Sequence, residues 1–166
     1  MHTQPLQTDN VSDIWRINEE GLPGVGKVSQ ADLVDLLRLS ELALGVFDQH
    51  DLMGFVLCLP PATRYASLNY AWFNERYDHF LYVDRIAVSQ HYRNREVGTL
   101  LYAAVIAEAD KNSRPVAAEV SLNPPNLGSM RFHGRHNFRE VGVLHHKDKS
   151  VTMLMRPVSG RKDQEI

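Results

Sequence analysis

The fold is decided by the stretch Leu81-Tyr82-Val83-Asp84-Arg85-Ile86-Ala87-Val88-Ser89-Gln90-His91-Tyr92-Arg93-Asn94-Arg95-Glu96-Val97-Gly98-Thr99-Leu100-Leu101. Its first part predicts a strand over 80–88, and the apolar spacing that begins at Val97 predicts a helix. A helix that starts just after a strand exposes backbone N–H groups at its positive end, and these favour phosphate oxygens. Arg93 and Arg95 would add charge-assisted contacts to such a group. The alternative interpretation of this segment alone is an ordinary strand-to-helix turn that binds nothing.

The flanking segments predict an α/β (α+β) fold. The predicted elements, in chain order, are a helix over 11–20, a helix that begins after the capping residue Ser29, a hairpin of 43–47 with 52–59, a strand over 115–122, a short helix over 126–136 and a hairpin of 138–146 with 151–156. Strands and helices alternate in the second half of the chain. This alternation predicts one right-handed crossover onto a mixed sheet.

Composition excludes several classes of protein. The chain has 166 residues, 43% of them hydrophobic, and its 18 basic side chains nearly balance 20 acidic ones. These values argue against intrinsic disorder and against a protein that mainly binds nucleic-acid phosphates. No apolar run has the length of a membrane span, the first residues lack the pattern of a signal peptide, and the single cysteine, Cys58, is predicted to be a core residue. We expect one cytoplasmic domain over residues 1–158 and a polar C-terminal tail over 159–166.

A sequence signature begins in the deciding stretch and continues beyond it. Arg93 and Gly98 match the pattern Arg/Gln-x-x-Gly-x-Gly/Ala, and Val88 closes the strand five positions before Arg93. Asn123 ends the next strand, and a run similar to the pattern Asn…Ala/Ser…Phe-Tyr…Gly-Phe follows. The residues of that run are Asn126, Ser129, Phe132, His133, Asn137 and Phe138. On these residues, segment 80–157 resembles the GNAT superfamily of acetyl-CoA-dependent N-acetyltransferases.

The resemblance implies a GNAT-like single domain with a central, mixed, mostly antiparallel twisted sheet flanked by helices. The first 60 residues match the family in the order of their elements, and on that order Gln4 to Gln7 is expected to form a first edge strand. Three positions depart from the family pattern. Glu96 stands where the middle glycine of the signature is usual, and its side chain is expected to point away from a pyrophosphate. Asn137 replaces a glycine, and His133 replaces the tyrosine that in many relatives protonates the departing thiolate.

The resemblance also implies a function, the direct transfer of an acetyl group from acetyl-CoA to a primary amine without a covalent enzyme intermediate. The strand over 86–88 would separate from its neighbour over 117–123, and the pantetheine arm would lie in the gap. Backbone groups of 86–88 would bind this arm and stabilise the oxyanion. The expected cofactor-binding residues are Ile86, Ala87, Val88, Arg93, Asn94, Arg95, Glu96, Val97, Gly98, Thr99, Asn123, Asn126, Ser129 and Phe132. The expected residues on the side of the amine acceptor are Tyr82, Tyr70 and Trp72.

Two carboxylates lie within the predicted central strands, where charge is costly unless it is paired or functional. By period-two alternation, the residues predicted to share a face are Tyr82, Asp84 and Ile86 in one strand, and Glu119, Ser121 and Asn123 in the other. We expect Glu119 or Asp84 to be the base or the amine anchor, and His133 to be the acid. A structural role stays open for both carboxylates, and for Asp84 it is an ion pair with Arg85 or another arginine.

The other patterns in the sequence are weaker indications of a functional site. Histidine pairs such as His133 with His136 lack a third defined ligand, so no metal site is expected. Segment 21–29 lacks the spacing of a phosphate loop, and no nucleophile elbow of a hydrolase occurs. The aromatic segment 65–77 would either wall an acceptor pocket or cover the core.

Two alternatives to an enzyme remain at this stage. One is a non-catalytic module that binds or senses acyl-CoA, and the other is a plain structural domain. The expected partners are a small-molecule or peptide amine, with no nucleic acid and no membrane, and a homodimer is possible.

Overall fold

The computed structural model describes residues 1–159, so the predicted polar tail lies outside the described residues from position 160 onward. Seven strands form one sheet in the order β1-β2-β3-β4-β5-β7-β6, and every neighbouring pair is antiparallel except β4 with β5. The strands are β1 His2–Pro5, β2 Leu42–Asp48, β3 Asp51–Leu59, β4 Leu81–Val88, β5 Val116–Asn123, β6 Arg139–His145 and β7 Ser150–Arg156. The predicted mixed, mostly antiparallel sheet is confirmed.

Helices cover both faces of this sheet. They are α1 Val11–Glu20, α2 Gln30–Leu39, α3 Leu68–Arg76, α4 Val97–Lys111 and α5 Leu127–Arg135. One buried core packs α1, α2 and α3 against the sheet, and the core on the other face contains α4, with α5 packed beside it. As predicted, Ser29 caps α2, with its hydroxyl oxygen accepting the N–H of Asp32 at 3.0 Å. Within residues 1–159, no helix is long and apolar enough to cross a membrane.

The first strand differs from the prediction in its bounds, and the aromatic segment contains a helix. β1 spans His2–Pro5 rather than 4–7, because Gln7 caps a 3-10 helix over Thr8–Asn10 and the chain leaves the sheet there. The segment between β3 and β4 contains α3, whose Tyr70 and Phe73 are buried against the sheet. The long connection is therefore a helix that packs on the core.

The sheet opens between its two parallel strands. β4 and β5 pair at Leu81 with Val116 and at Tyr82 with Ala117, and in the described chain the ladder between them stops there. Beyond these pairs, β4 continues on β3 and β5 continues on β7. The predicted gap between the two strands is therefore present, and it opens toward the start of α4.

A bulge in β4 changes which residues share a face. Leu57 of β3 pairs with Arg85 and Cys58 pairs with Val83, so that Asp84 has no partner across the ladder. An extra residue in a strand reverses the alternation of side chains beyond it. Tyr82 consequently lies in the core of α1, α2 and α3, whereas Ile86 packs against the core of α4. The prediction that Tyr82 and Ile86 share a face was wrong, because period-two counting assumes an unbroken ladder.

The sequence also predicts that Glu119, Ser121 and Asn123 share one face of β5, and this holds for Glu119 and Ser121. Glu119 and Ser121 pair with Met153 and Val151 of β7, and both of these partners lie in the core of α1, α2 and α3. A second irregularity follows between Ser121 and Asn123, and Asn123 is exposed at the end of the strand.

Candidate active site

The gap between β4 and β5 leads into two adjoining cavities of about 680 and 510 Å3. We call the larger one the glutamate-side cavity because Glu119 lines it, and the smaller one the arginine-side cavity because Arg93 lines it. The residues that line both are Gly24, Val25, Ile86, Asn126, Ser129 and His133. The two cavities therefore meet beside β4 and the first turns of α5, and a molecule bound in one can reach a molecule bound in the other.

The arginine-side cavity collects most of the predicted cofactor residues. Those that line it are Ile86, Ala87, Val88, Arg93, Gly98, Asn126, Ser129 and Phe132. The structure does not bring the remaining predicted residues to its lining, namely Asn94, Arg95, Glu96, Val97, Thr99 and Asn123. Val97, the first residue of α4, is buried, and the others are exposed. Of segment 93–99, therefore, Arg93 and Gly98 are the residues that reach the cavity.

The first turn of α4 approaches α5 closely at Gly98. A Cβ atom at this position would lie 3.2 Å from Cζ of Phe132. Glycine therefore allows the start of the helix, with its unpaired N–H groups, to lie against the wall of the cavity. This arrangement is suited to an anionic group, as the sequence predicts.

Glu96 occupies a backbone conformation that favours glycine. It is the N-cap residue of α4, its φ is 62°, and its side chain makes no capping hydrogen bond. A left-handed conformation costs a residue with a Cβ roughly 1–2 kcal/mol. The departure from the family pattern thus strains the backbone at Glu96, whose exposed side chain is not part of the cavity lining.

Replacing Glu96 by glycine is expected to raise the free energy of unfolding by about 1 kcal/mol, because the strain is relieved and only part of the gain is lost to the entropy of glycine. Chemical denaturation measures this difference. Asn94→Gly is the matched control, since Asn94 has a φ of 64° but asparagine tolerates this conformation better. A destabilised Glu96→Gly protein would contradict the expectation.

Glu119 is held by neutral hydrogen-bond donors. The hydroxyl of Tyr82 donates to both carboxylate oxygens at 2.8 Å, and Nδ2 of Asn69 donates to Oε1 at 3.2 Å. Oδ1 of Asn69 in turn accepts a hydrogen bond from Nε2 of His146 at 2.8 Å, which fixes the orientation of the amide. Burial raises the pKa of Glu119 to about 8, against the opposing effect of the Tyr82 hydrogen bond. A carboxylate with this pKa can take up and release a proton near neutral pH.

Asp84 has a different environment, because it is paired with a cation. Nε of Arg85 lies 2.8 Å from Oδ2 of Asp84, and both side chains are buried, with exposed fractions of 7% and 5%. Nη1 of Arg85 also donates to Oδ1 of Asn18 at 3.0 Å and to the carbonyl of Gly26 at 3.1 Å. The ion pair therefore ties β4 to α1 and to the loop between α1 and α2. Both residues line the glutamate-side cavity, but Asp84 is engaged in the ion pair with Arg85 that the sequence left open.

His133 lies where the two cavities meet, and both of its ring nitrogens are bonded. Nδ1 is 2.8 Å from the carbonyl of Ser129 and Nε2 is 2.6 Å from the hydroxyl of Tyr102. Because a carbonyl can only accept, the neutral ring carries its proton on Nδ1, and Tyr102 donates to Nε2. Burial lowers the pKa of His133. Any proton that leaves Nε2 must therefore pass by the Tyr102 hydroxyl.

Tyr102 was missed in the sequence because it follows Leu101 on an apolar helix. The feature that could have identified Tyr102 is its hydroxyl group. A phenol on a buried helix face requires a hydrogen-bond partner inside the protein. Burial raises the pKa of Tyr102 well above its usual value, so the phenol stays protonated. It lines the glutamate-side cavity together with His133.

The aromatic residues predicted on the acceptor side do not line either cavity. Tyr82 lies behind Glu119 and contacts it, Tyr70 donates to the carbonyl of Pro60 within the core, and Trp72 packs beside Gly142. From the same part of the chain, the residues that do line the glutamate-side cavity are Tyr65, Ala66, Ser67 and Asn69. Segment 65–77 thus covers the core with rings such as Tyr70 and Phe73, and it lines the cavity with residues 65–67 and with Asn69 in the first turn of α3.

The histidine pairs of the sequence have separate partners. Nδ1 of His136 contacts the carbonyl of Phe132, and Nδ1 of His145 contacts the hydroxyl of Ser150. Across residues 1–159, no group of three or more histidine, cysteine or acidic residues is placed to hold a metal ion.

Comparison with known proteins identifies the family. The chain matches the model of the acetyltransferase (GNAT) family over residues 13–138, and it belongs to this family. The predicted membership is confirmed. The protein is a GNAT-type acetyltransferase, a class that moves acyl groups from acyl-CoA to amine acceptors.

Solved structures show the same fold at low sequence identity. The ribosomal-protein-S18-alanine N-acetyltransferase from Escherichia coli is 14% identical, with a TM-score of 0.75 and coverage of 98% of this chain and 96% of that one. NAA60 from Arabidopsis thaliana, in complex with a bisubstrate analogue, is 16% identical, with a TM-score of 0.77 and coverage of 96% and 99%. GphF, a GNAT-like decarboxylase in complex with isobutyryl-CoA, is 14% identical, with a TM-score of 0.75 and coverage of 95% and 100%. The comparison with curated protein sequences returned no match.

Proposed function

We propose that the protein transfers an acetyl group from acetyl-CoA directly to a primary amine in the gap between β4 and β5. The observation that carries the proposal is the early end of the ladder between these strands. Past it, Ile86 to Val88 remain paired with β3 on one side, so their other edge is open to a ligand. The pantetheine arm would bind along this edge, and an N–H of the same edge would stabilise the oxyanion.

The pyrophosphate of the cofactor would bind at the arginine-side cavity. Arg93 and the first turn of α4 supply a positive charge and free N–H groups there, and Asn126 and Ser129 bound the opposite side. The thioester would then lie where the two cavities meet, beside Ile86 and His133.

Glu119 is the group best placed to prepare the amine. An ammonium ion must lose a proton before its nitrogen can attack, and the Glu119 carboxylate lines the glutamate-side cavity with a pKa of about 8. The amine nitrogen would form a bond to the acetyl carbon and release its second proton to solvent, the bond from this carbon to sulfur would break, and the thiolate would take up a proton from the acid. Asp84 would keep β4 and the neighbouring loop in place through Arg85.

His133 is our proposed acid, acting together with Tyr102. When the ring is doubly protonated, Nε2 would donate to the Tyr102 oxygen, and the phenol proton would be free to turn toward the thiolate. One proton would move from Nε2 to the phenol oxygen and one from the phenol to sulfur, which leaves a neutral imidazole. The 2.6 Å contact between Nε2 and the phenol oxygen supports this route.

A non-catalytic acyl-CoA module is the second candidate function. It is favoured by the strained Glu96 beside the expected pyrophosphate site and by the fact that both ring nitrogens of His133 are engaged in the resting protein. Such a module would keep the cofactor groove and lack efficient transfer.

Two measurements, made one after the other, test the proposal. Acetyl-CoA at about 100 times its Kd is expected to add about 2.7 kcal/mol of stability, which for a chain of this size raises the Tm by roughly 5–11 °C. AMP alone is expected to give no comparable shift. Arg93→Gln should reduce the shift, whereas Arg38→Gln, on the exposed end of α2, should keep it. No shift at millimolar acetyl-CoA would overturn both candidate functions.

The second measurement is thiol release with a panel of primary amines. Release that depends on an amine supports the acetyltransferase. A clear shift in Tm without thiol release from any amine would favour the binding module instead.

A further inference from the structure

We propose that the amine acceptor carries a negatively charged group, a carboxylate or a phosphate, which binds to Lys27 and Lys149. This inference rests on the proposed function and names the substrate class of the same site. Both lysines line the glutamate-side cavity, and neither lines the arginine-side cavity where the pyrophosphate would bind. They approach the gap from its two sides, Lys27 from the loop that Arg85 ties to β4 and Lys149 from the turn before β7.

The backbone on each side of Lys27 is held in place. The carbonyl of Gly26 accepts hydrogen bonds from Nδ2 of Asn18 at 3.0 Å and from Nη1 of Arg85 at 3.1 Å. The carbonyl of Val28 accepts a hydrogen bond from Nε1 of Trp15 at 3.0 Å. Hydrogen bonds therefore hold the backbone on both sides of Lys27, which lowers the entropic cost of binding an anion there.

Lys149 also projects from an ordered turn. Its carbonyl accepts the N–H of His146 at 2.7 Å, and the next residue, Ser150, contacts Nδ1 of His145 through its hydroxyl at 2.8 Å. Ser150 pairs with Asn123 of β5 as well, which places the turn beside the open end of the gap. His146 of the same turn is engaged with Asn69.

The other charged side chains of the cavity do not neutralise Lys27 and Lys149. The charged side chains in the lining are Lys27, Asp84, Arg85, Glu119 and Lys149. Asp84 and Arg85 neutralise each other in their buried ion pair, and Glu119 is the partner for the amine. Within residues 1–159, Lys27 and Lys149 form no ion pair, and the neighbouring Asp148 is not part of the lining.

An acceptor with an amine at one end and an anion at the other matches this arrangement. The amine would bind at half-buried Glu119, and the anion would bind to Lys27 and Lys149, whose side chains are exposed. A diamine would instead place a second positive charge beside the lysines and be repelled. The same chemistry is found in a small amino acid or amino phosphate and in a peptide with an acidic residue near its amino terminus.

The test compares matched acceptors that differ in one charged group. The small pairs are β-alanine with β-alaninamide and 4-aminobutyrate with 4-aminobutyramide, and the peptide pair is Ala-Glu-amide with Ala-Gln-amide. We expect kcat/KM to favour the anionic member at least tenfold at low ionic strength and less as salt is added. The ratio should fall to about twofold or less in Lys27→Gln/Lys149→Gln and reverse in Lys27→Glu/Lys149→Glu.

Controls separate failure of this inference from failure of the proposed function. Lys111→Gln, at the far end of α4, should keep the wild-type ratio, and every variant should keep the Tm shift with acetyl-CoA. Amide-selective or indifferent turnover in all pairs would overturn the inference and leave the acetyltransferase intact. If no amine releases thiol, calorimetry of the same pairs with CoA-loaded protein decides the inference, because equal Kd values within the pairs would overturn it. A preference confined to the small pairs or to the peptide pair supports the inference and identifies the source of the anion.

Discussion

Glu119→Gln is expected to lower kcat/KM for the acceptor by about 100-fold to 10000-fold, the usual contribution of a general base. Glutamine keeps the shape of the side chain but cannot take the amine proton. The pH profile provides the sharper test. With a pKa of about 8, wild-type kcat/KM should rise with unit slope up to that pH and lie about 100-fold below its plateau at pH 6. The variant should lose this slope.

Glu119→Gln is expected to lower activity but to increase stability. These opposite effects distinguish loss of the general base from unfolding of the variant. Because the pKa of Glu119 is higher in the folded protein than in the unfolded chain, the folded protein binds this proton more tightly. Wild-type stability should therefore fall as pH rises from about 4.5 to about 8, and Glu119→Gln should not show this decrease.

We expect the Tm advantage of the Glu119→Gln variant to grow between pH 5 and pH 9. Glu75→Gln is the matched control, because its carboxylate is 72% exposed. Activity of Glu119→Gln within fivefold of wild type would remove Glu119 from the role of base and leave Asp84 as the other carboxylate of the cavity.

Arg85→Met is expected to lower the free energy of unfolding by about 3–5 kcal/mol, because it leaves the buried carboxylate of Asp84 without its cation. It also removes the hydrogen bonds to Asn18 and to the carbonyl of Gly26. Denaturation in urea at pH 7 measures the loss. The double variant Asp84→Asn/Arg85→Met should recover most of it, since no unpaired charge remains. A single variant that loses less than 1 kcal/mol would contradict the structural role assigned to this pair.

The elements of the fold could be predicted because each has a local cause. The apolar spacing of Val97, Leu101 and Val105 fixes α4, and the Ser29 cap fixes the start of α2. The aromatic segment was harder, since α3 has little contrast between its two faces and only two buried residues, Tyr70 and Phe73. Local periodicity also could not reveal the bulge at Asp84, because a bulge depends on the register of β3 against β4.

The candidate site could be predicted where its residues are consecutive and not where distant segments meet. The turn after β4 was found because Arg93 and Gly98 carry a signature within six positions. Asn69 contacts Glu119 across 50 positions, and His146 contacts Asn69 across 77, so neither contact leaves a pattern in the chain. Lys27 and Lys149 are also far apart in the sequence. They line the same cavity because the folded sheet brings their two loops together.

The interrupted ladder has a mechanical consequence. The sheet consists of one blade of four strands, β1 to β4, and a second blade of three, β5 to β7, joined edge to edge by two residue pairs at Leu81 and Tyr82. An extended ligand lying in the opening would hydrogen-bond to both blades and act as an eighth, removable strand. The protein would then become more rigid when the cofactor binds and links the two parts of the sheet. It would become less rigid again when the cofactor leaves.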